Sequence, residues 1–166
     1  GGRDAVVHLA GIPVPLNHPA EEVFHTNVVG SHHLLEAAAA CETPRFIFMS
    51  SESVLGFAFM ERHMDPLYLP MDEGHPARPQ DAYGLSKWAA EAVCQSVARR
   101  TGMEVAILRA PWVWTPDAEE AEQYRNLVAD PGAWYRNMWA FCGVEDLAVG
   151  VEAALRLPWE RVSGAA

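Results

Sequence analysis

Basic side chains are scarce in this chain of 166 residues: 12 Lys and Arg stand against 22 Asp and Glu, for a formal net charge of −10. That balance repels phosphate backbones and anionic lipid, so neither nucleic acid nor membrane is expected as a partner. Cysteine is sparse too. Cys41, Cys94 and Cys142 lie far apart and form no Cys-x-x-Cys pair, which argues against a disulfide framework and for reduced thiols. No apolar run reaches the ~18 residues of a membrane-spanning helix. The first residues also lack the basic-then-apolar layout of an export signal. These absences predict a cytoplasmic globular domain. An apolar fraction of 50% with 20% charged residues provides the material for a core.

What is present is an alternation of short apolar runs and helical stretches. Asp4–Ala10 is nearly continuously apolar and ends at Gly11, which predicts a strand buried on both faces. Pro19, followed by Glu21 and Glu22, marks a helix start, with Val23, Val28, Leu34, Leu35 and Ala38 as its apolar face to about Cys41. Arg45–Ser50 is a second buried strand and Glu104–Arg109 a third. Between them, prolines at 66, 70, 76 and 79 exclude a long helix before one that runs from about Ala82 to Arg100 and stops at Gly102. Beyond Pro111 tryptophans crowd a stretch with few strand signals; helices are expected from Asp117 to about Ala129 and from Glu145 to Leu157. Strand, helix, strand, helix, strand implies an α/β fold with a parallel sheet. Ligands of such sheets gather at the carboxyl ends of the strands, where Gly11, Ser51 and Arg109 fall.

Chemistry concentrates in Asp81-Ala-Tyr83-Gly-Leu-Ser-Lys87, at the start of the second helix. Tyr83 and Lys87 are four residues apart and share a helix face. An ammonium beside a phenol favours the phenolate and lowers its pKa, so the phenol can exchange a proton near neutrality.

Seven pieces in sequence order carry a resemblance. They are Asp4-x-Val-x-His-Leu-Ala-Gly11, Asn27-Val-Val-Gly-Ser31, Ser50-Ser-x-x-Val-x-Gly56, Asp72-Glu-x-His-Pro76, Tyr83-Gly-x-Ser-Lys87, Leu108-Arg109 and Val144-Glu-Asp-Leu-Ala148. Together they resemble the extended short-chain dehydrogenase/reductases of the NAD-dependent epimerase/dehydratase type. The resemblance implies part of a Rossmann-type doubly wound sheet over residues 1–110 and a short substrate-side region over 111–166. It also implies hydride exchange between a nicotinamide cofactor, NAD or NADP, and a hydroxyl or carbonyl of a sugar-like molecule. Tyr83 would be the acid/base, Lys87 would hold the nicotinamide ribose and lower the Tyr83 pKa, and Ser51 would bind the reacting oxygen. Leu9, Ala10, Gly11 and Thr26 would lie along the cofactor. A homodimer through the helices near 20–41 and 82–100 would follow as well.

The family's opening Gly-x-x-Gly-x-x-Gly turn is not among these residues, and about 60 residues of the pattern, a pair of βα units and a strand, have no counterpart. The chain could therefore be a fragment, a degenerate copy, or a part whose remainder lies elsewhere. A non-catalytic remnant serving as an interaction module stands as the alternative to an enzyme. The short spacing after the third strand resembles the uronate dehydrogenase branch, in which Arg136 would meet a substrate carboxylate. Ser51, Glu52, Trp112 and Arg136 would line the substrate side. Glu52 fits that branch worst, since it would face another carboxylate.

Other conspicuous residues have plainer readings. His8 reads as a hydrogen-bonded core histidine. His32 and His33 point in different directions on a helix. His63, Asp65, Asp72, Glu73 and His75 match no metal-ligand spacing, so no metal is expected. The tryptophans after Pro111 either line a cleft or cap the sheet.

Overall fold

The computed structural model describes residues 3–115 and 118–158, with backbone alone for 118–120. The three apolar runs become a parallel sheet. β1 (Val6–His8), β2 (Arg45–Ser51) and β3 (Glu104–Ala110) lie side by side in that order. The register sets Val6 against Phe46, His8 against Phe48, and Ser51 against Ala110. Helix α1 (Ala20–Ala40) connects β1 to β2, and α2 (Ala82–Thr101) connects β2 to β3. Asp81 caps α2 by accepting from the Gly84 N–H at 2.9 Å, and Gly102 closes it with φ 75°.

Alternation along β2 directs side chains to both faces of the sheet. Phe46 and Phe48 enter a cluster with Leu35 and Ala38 of α1 and Ala90, Cys94 and Val97 of α2. Ile47 takes the opposite face, where with Ala106 it meets Ala154 and Leu155 of α4 (Val144–Arg156). Helices thus cover both faces, as in a doubly wound sheet. Arg45 ties α4 down: it donates to the Glu104 carboxylate at 2.8 Å and to the carbonyls of Leu155 and Leu157 at the helix end. A guanidinium suits that place, because the last carbonyls of a helix lack intrahelical donors.

Three expectations need correction. The run 4–10 shortens to a strand of three residues and is not buried on both faces; Val7 is 37% and Leu9 63% exposed. β1 has β2 on one side and no strand on the other among the described residues, so half its cover is absent. Leu34 stands on the solvent side of α1, and the buried stripe runs through Val23, Asn27, Ser31, Leu35 and Ala38 instead. Beyond Pro111 two short strands do form, β4 (Trp112–Trp114) and β5 (Phe141–Gly143), paired in parallel. Three residues are too few to display a periodicity. Between them lie α3 (Ala118–Ala129) and a 3-10 segment at Pro131–Asn137; Asp117, the expected start of α3, falls outside the described residues.

An open strand edge flanked by exposed Val7 and Leu9 is a template for pairing with another chain. Val7→Lys should therefore lower self-association at high concentration without changing the circular-dichroism spectrum. Light scattering that shows equal association for both proteins would contradict the edge argument.

Candidate active site

β2 ends in Ser51, and the chain turns at once into a 3-10 segment, Glu52–Leu55. The Ser51 hydroxyl accepts the Ser53 N–H at 3.1 Å, which caps that turn, and donates to the Ser53 hydroxyl at 3.1 Å. The first turn of α2 packs directly onto this segment. Gly84 permits it: a Cβ there would lie 2.5 Å from the Ser53 carbonyl oxygen. Tyr83 is thereby buried at the strand end, its phenol close enough to the Ser51 hydroxyl for that group to act on its pKa, and its ring edge-on to Phe59 at 6.1 Å.

One turn further, Lys87 is 6% exposed and is the single lysine of the sequence. Its ammonium donates to the Met49 carbonyl at 2.8 Å and lies 5.8 Å from the centre of the Tyr83 ring. Burial depresses its pKa. One of its three donors is used by Met49, which leaves donors for a polar ligand. Gly11 stands beside it at the end of β1, where a Cβ would come 3.9 Å from Nζ and 2.9 Å from the Asn27 side-chain oxygen.

The expected lowering of the Tyr83 pKa is absent from this geometry. Burial raises it first, and the carboxylates of Asp81 and Glu52 add to the rise, with only the Ser51 hydroxyl acting the other way. Lys87 is turned to the Met49 carbonyl and does not offset them. Tyr83 is thus held as a phenol, ready to give a proton.

The comparisons with known proteins decide the family. Residues 2–130 match the model described as the NAD dependent epimerase/dehydratase family. The chain belongs to the NAD-dependent epimerase/dehydratase family.

Among relatives, a uronate dehydrogenase of Agrobacterium fabrum is 31% identical over 95% of this chain and 50% of its own length. An L-arabinose 1-dehydrogenase of Haloferax volcanii is 32% identical over 93% of this chain and 62% of its own. A solved short-chain dehydrogenase/reductase superfamily protein from Agrobacterium tumefaciens, with NAD bound, shares the fold. It has a TM-score of 0.73 at 24% identity, covering 95% of this chain and 57% of that one. This family member therefore spans about half to three fifths of the length of such relatives.

The remaining expected residues fall in different places. Leu9, Ala10 and Gly11 are exposed residues of the loop that follows β1, and Thr26 is an exposed residue of α1 next to Asn27. Glu52 is half-buried one residue from Ser51. Trp112 stacks on Trp134, with ring centres 4.6 Å apart and planes 7° apart. Arg136 gives its guanidinium to the Met60 carbonyl at 3.5 Å and the Tyr135 hydroxyl at 3.3 Å. His8 is the core histidine expected, its Nε2 2.9 Å from the Ser31 hydroxyl. No group of three metal-binding side chains occurs among the described residues.

Two residues that brace the site were given no role by the motif reading, Asn27 among them although it opens one of the seven pieces. Asn27 accepts from the Ile12 N–H at 2.8 Å and donates to the Ile12 carbonyl and the Ser86 hydroxyl. Ser86 in turn donates to the Tyr83 carbonyl at 2.7 Å. One buried amide thus fastens the Gly11 loop to the turn that bears Tyr83 and Lys87. The signal was available: Asn27 and Ser31 interrupt the apolar stripe of 23, 35 and 38, and buried polar residues there need partners. Glu91, also buried, accepts from Ser50 at 2.5 Å and from Arg109 at 2.8 Å, and so braces β2, α2 and β3 below the site.

Burial pushes Glu52 up to about 8. Its folded pKa lies above the unfolded value of 4.5, so the folded state binds the proton more tightly. The stability gained this way is complete below the unfolded pKa and lost as pH rises through about 8. Glu52→Gln should therefore gain thermal stability over wild type progressively from about pH 5 to about pH 9. Melting curves with a pH-independent difference would show that Glu52 is not buried as described.

Proposed function

We propose that this chain forms the catalytic and nicotinamide-facing part of an NAD(P)-dependent dehydrogenase that acts on a hydroxyl or carbonyl of a sugar. Convergence of Ser51, Tyr83 and Lys87 at the carboxyl end of β2, two of them fastened by hydrogen bonds across three elements, is the observation that carries it. Dehydrogenase relatives of two sugar types support the reading.

In this reading Ser51 holds the reacting oxygen beside the Tyr83 hydroxyl, and Tyr83 transfers the proton. As a phenol, Tyr83 is ready to protonate a carbonyl; to accept a proton from an alcohol it needs positive charge nearby, which Lys87 would supply on turning from the Met49 carbonyl toward the phenol. Lys87 and the Gly11 backbone hold the nicotinamide ribose. A bound nicotinamide supplies the hydride acceptor or donor. Residues 1–110 form the cofactor side and 111–166 the substrate side. A second copy of the chain docks on α1 and α2, whose outer faces expose Phe24, Leu85 and Trp88.

Tyr83→Phe keeps the ring and removes the proton. Turnover of NAD⁺ with a sugar substrate should fall by about 10²–10⁴-fold, with the melting temperature nearly unchanged. A variant that keeps more than half the wild-type rate at saturating substrate would remove Tyr83 from its role. Wild-type protein inert toward sugars and nicotinamide cofactors would instead favour a non-catalytic interaction module.

A further inference from the structure

The substrate side has one feature that neither catalytic nor family logic explains. Glu52 is the first residue of the turn that follows Ser51, and its charge acts on the Tyr83 phenol from β2's end and on the Cys142 thiol from β5. It lines a cavity of about 30 Å³, room for one hydroxyl or water, together with Asn137 and the apolar Leu55, Phe57 and Met71. Glu52 and Asn137 are the polar side chains of that lining, and no Lys, Arg or His belongs to it. Arg136, adjacent to Asn137 in the chain, is engaged by Met60 and Tyr135.

We propose that Glu52 sets the substrate class: with Asn137 it binds a hydroxyl of a neutral sugar and rejects a uronate. The inference rests on the dehydrogenase reading above. A hydroxyl both donates and accepts, so it can bond a carboxyl group in either protonation state and the second N–H of the Asn137 amide, which already accepts from the Trp139 N–H and donates to the Ala140 carbonyl. Once Glu52 has lost its proton, a uronate would place a second carboxylate in a pocket whose lining offers no cation to offset it. Like charges brought together across an interface are strongly unfavourable. The two relatives frame the choice, one acting on a uronate and the other on L-arabinose, and Glu52 points to the uncharged member.

The test compares two pairs of sugars that differ only at C6: D-galactose with D-galacturonate and D-glucose with D-glucuronate. Binding to the protein is followed by saturation-transfer NMR with NADH present, at about pH 9, where Glu52, Tyr83 and Cys142 are the titratable groups that meet there. In at least one pair the neutral sugar should bind about tenfold or more tightly than its uronate. Glu52→Gln should narrow that ratio by raising the affinity for the uronate, since an amide carries no charge. Glu52→Ser, which is small enough for any neighbour arrangement, should narrow it too. A purely structural Glu52 would shift the melting temperature and leave the ratio unmoved, which overturns the proposal. Uronates bound as tightly as neutral sugars by wild type overturn it as well, with the dehydrogenase reading intact. Failure of every sugar to bind would overturn both.

Discussion

Keeping one ammonium buried at the end of a parallel sheet is the constraint on which the rest of this structure depends. Desolvating Lys87 is costly unless its charge is met by oriented acceptors. The Met49 carbonyl is one such acceptor, and it is in place because β2 is held between β1 and β3 and clasped by helices on both faces. The Asn27 amide then closes the approach from the other side, binding the Gly11 loop and Ser86 at once. Below, the Ser50–Glu91–Arg109 network neutralises a second buried charge with its own partner. The polar atoms in this core are joined into fixed networks, and a satisfied network in low dielectric holds one geometry firmly.

That arrangement gives Tyr83 and Ser51 their relation. Gly84 lets α2 approach the Ser53 carbonyl, and the approach brings phenol and hydroxyl together. Acid chemistry is favoured by the burial of Tyr83, whereas base chemistry requires positive charge to overcome burial and the carboxylates of Asp81 and Glu52.

Much of this was legible in the sequence where physics acts over short range. Uninterrupted apolar runs disclosed β2 and β3, Gly102 ended α2, and the spacing from Tyr83 to Lys87 placed both on the buried face of α2. Other features depend on partners remote in the chain. β1 reads as buried from its residues, but exposure of Val7 and Leu9 is decided by which strands flank it. β4 and β5 are three residues each and exist because 112–114 meets 141–143. The direction of the Tyr83 shift could not be read from spacing, because the ammonium four residues on prefers a backbone acceptor from β2. Arg136 was placed on the substrate side by analogy with a family branch, and its bonds to Met60 and Tyr135 depend on a fold that local sequence does not display.

The central claim is that Lys87 receives the ribose of a nicotinamide nucleotide. Because it is the single lysine of the sequence, ¹³C-lysine labelling gives one side-chain resonance that reports on it alone. Reduced nicotinamide mononucleotide, which lacks the adenosine half, should shift that resonance in a saturable way at concentrations of about a millimolar. A lysine resonance that stays in place through tens of millimolar, while it titrates like the free amino acid, would contradict the account.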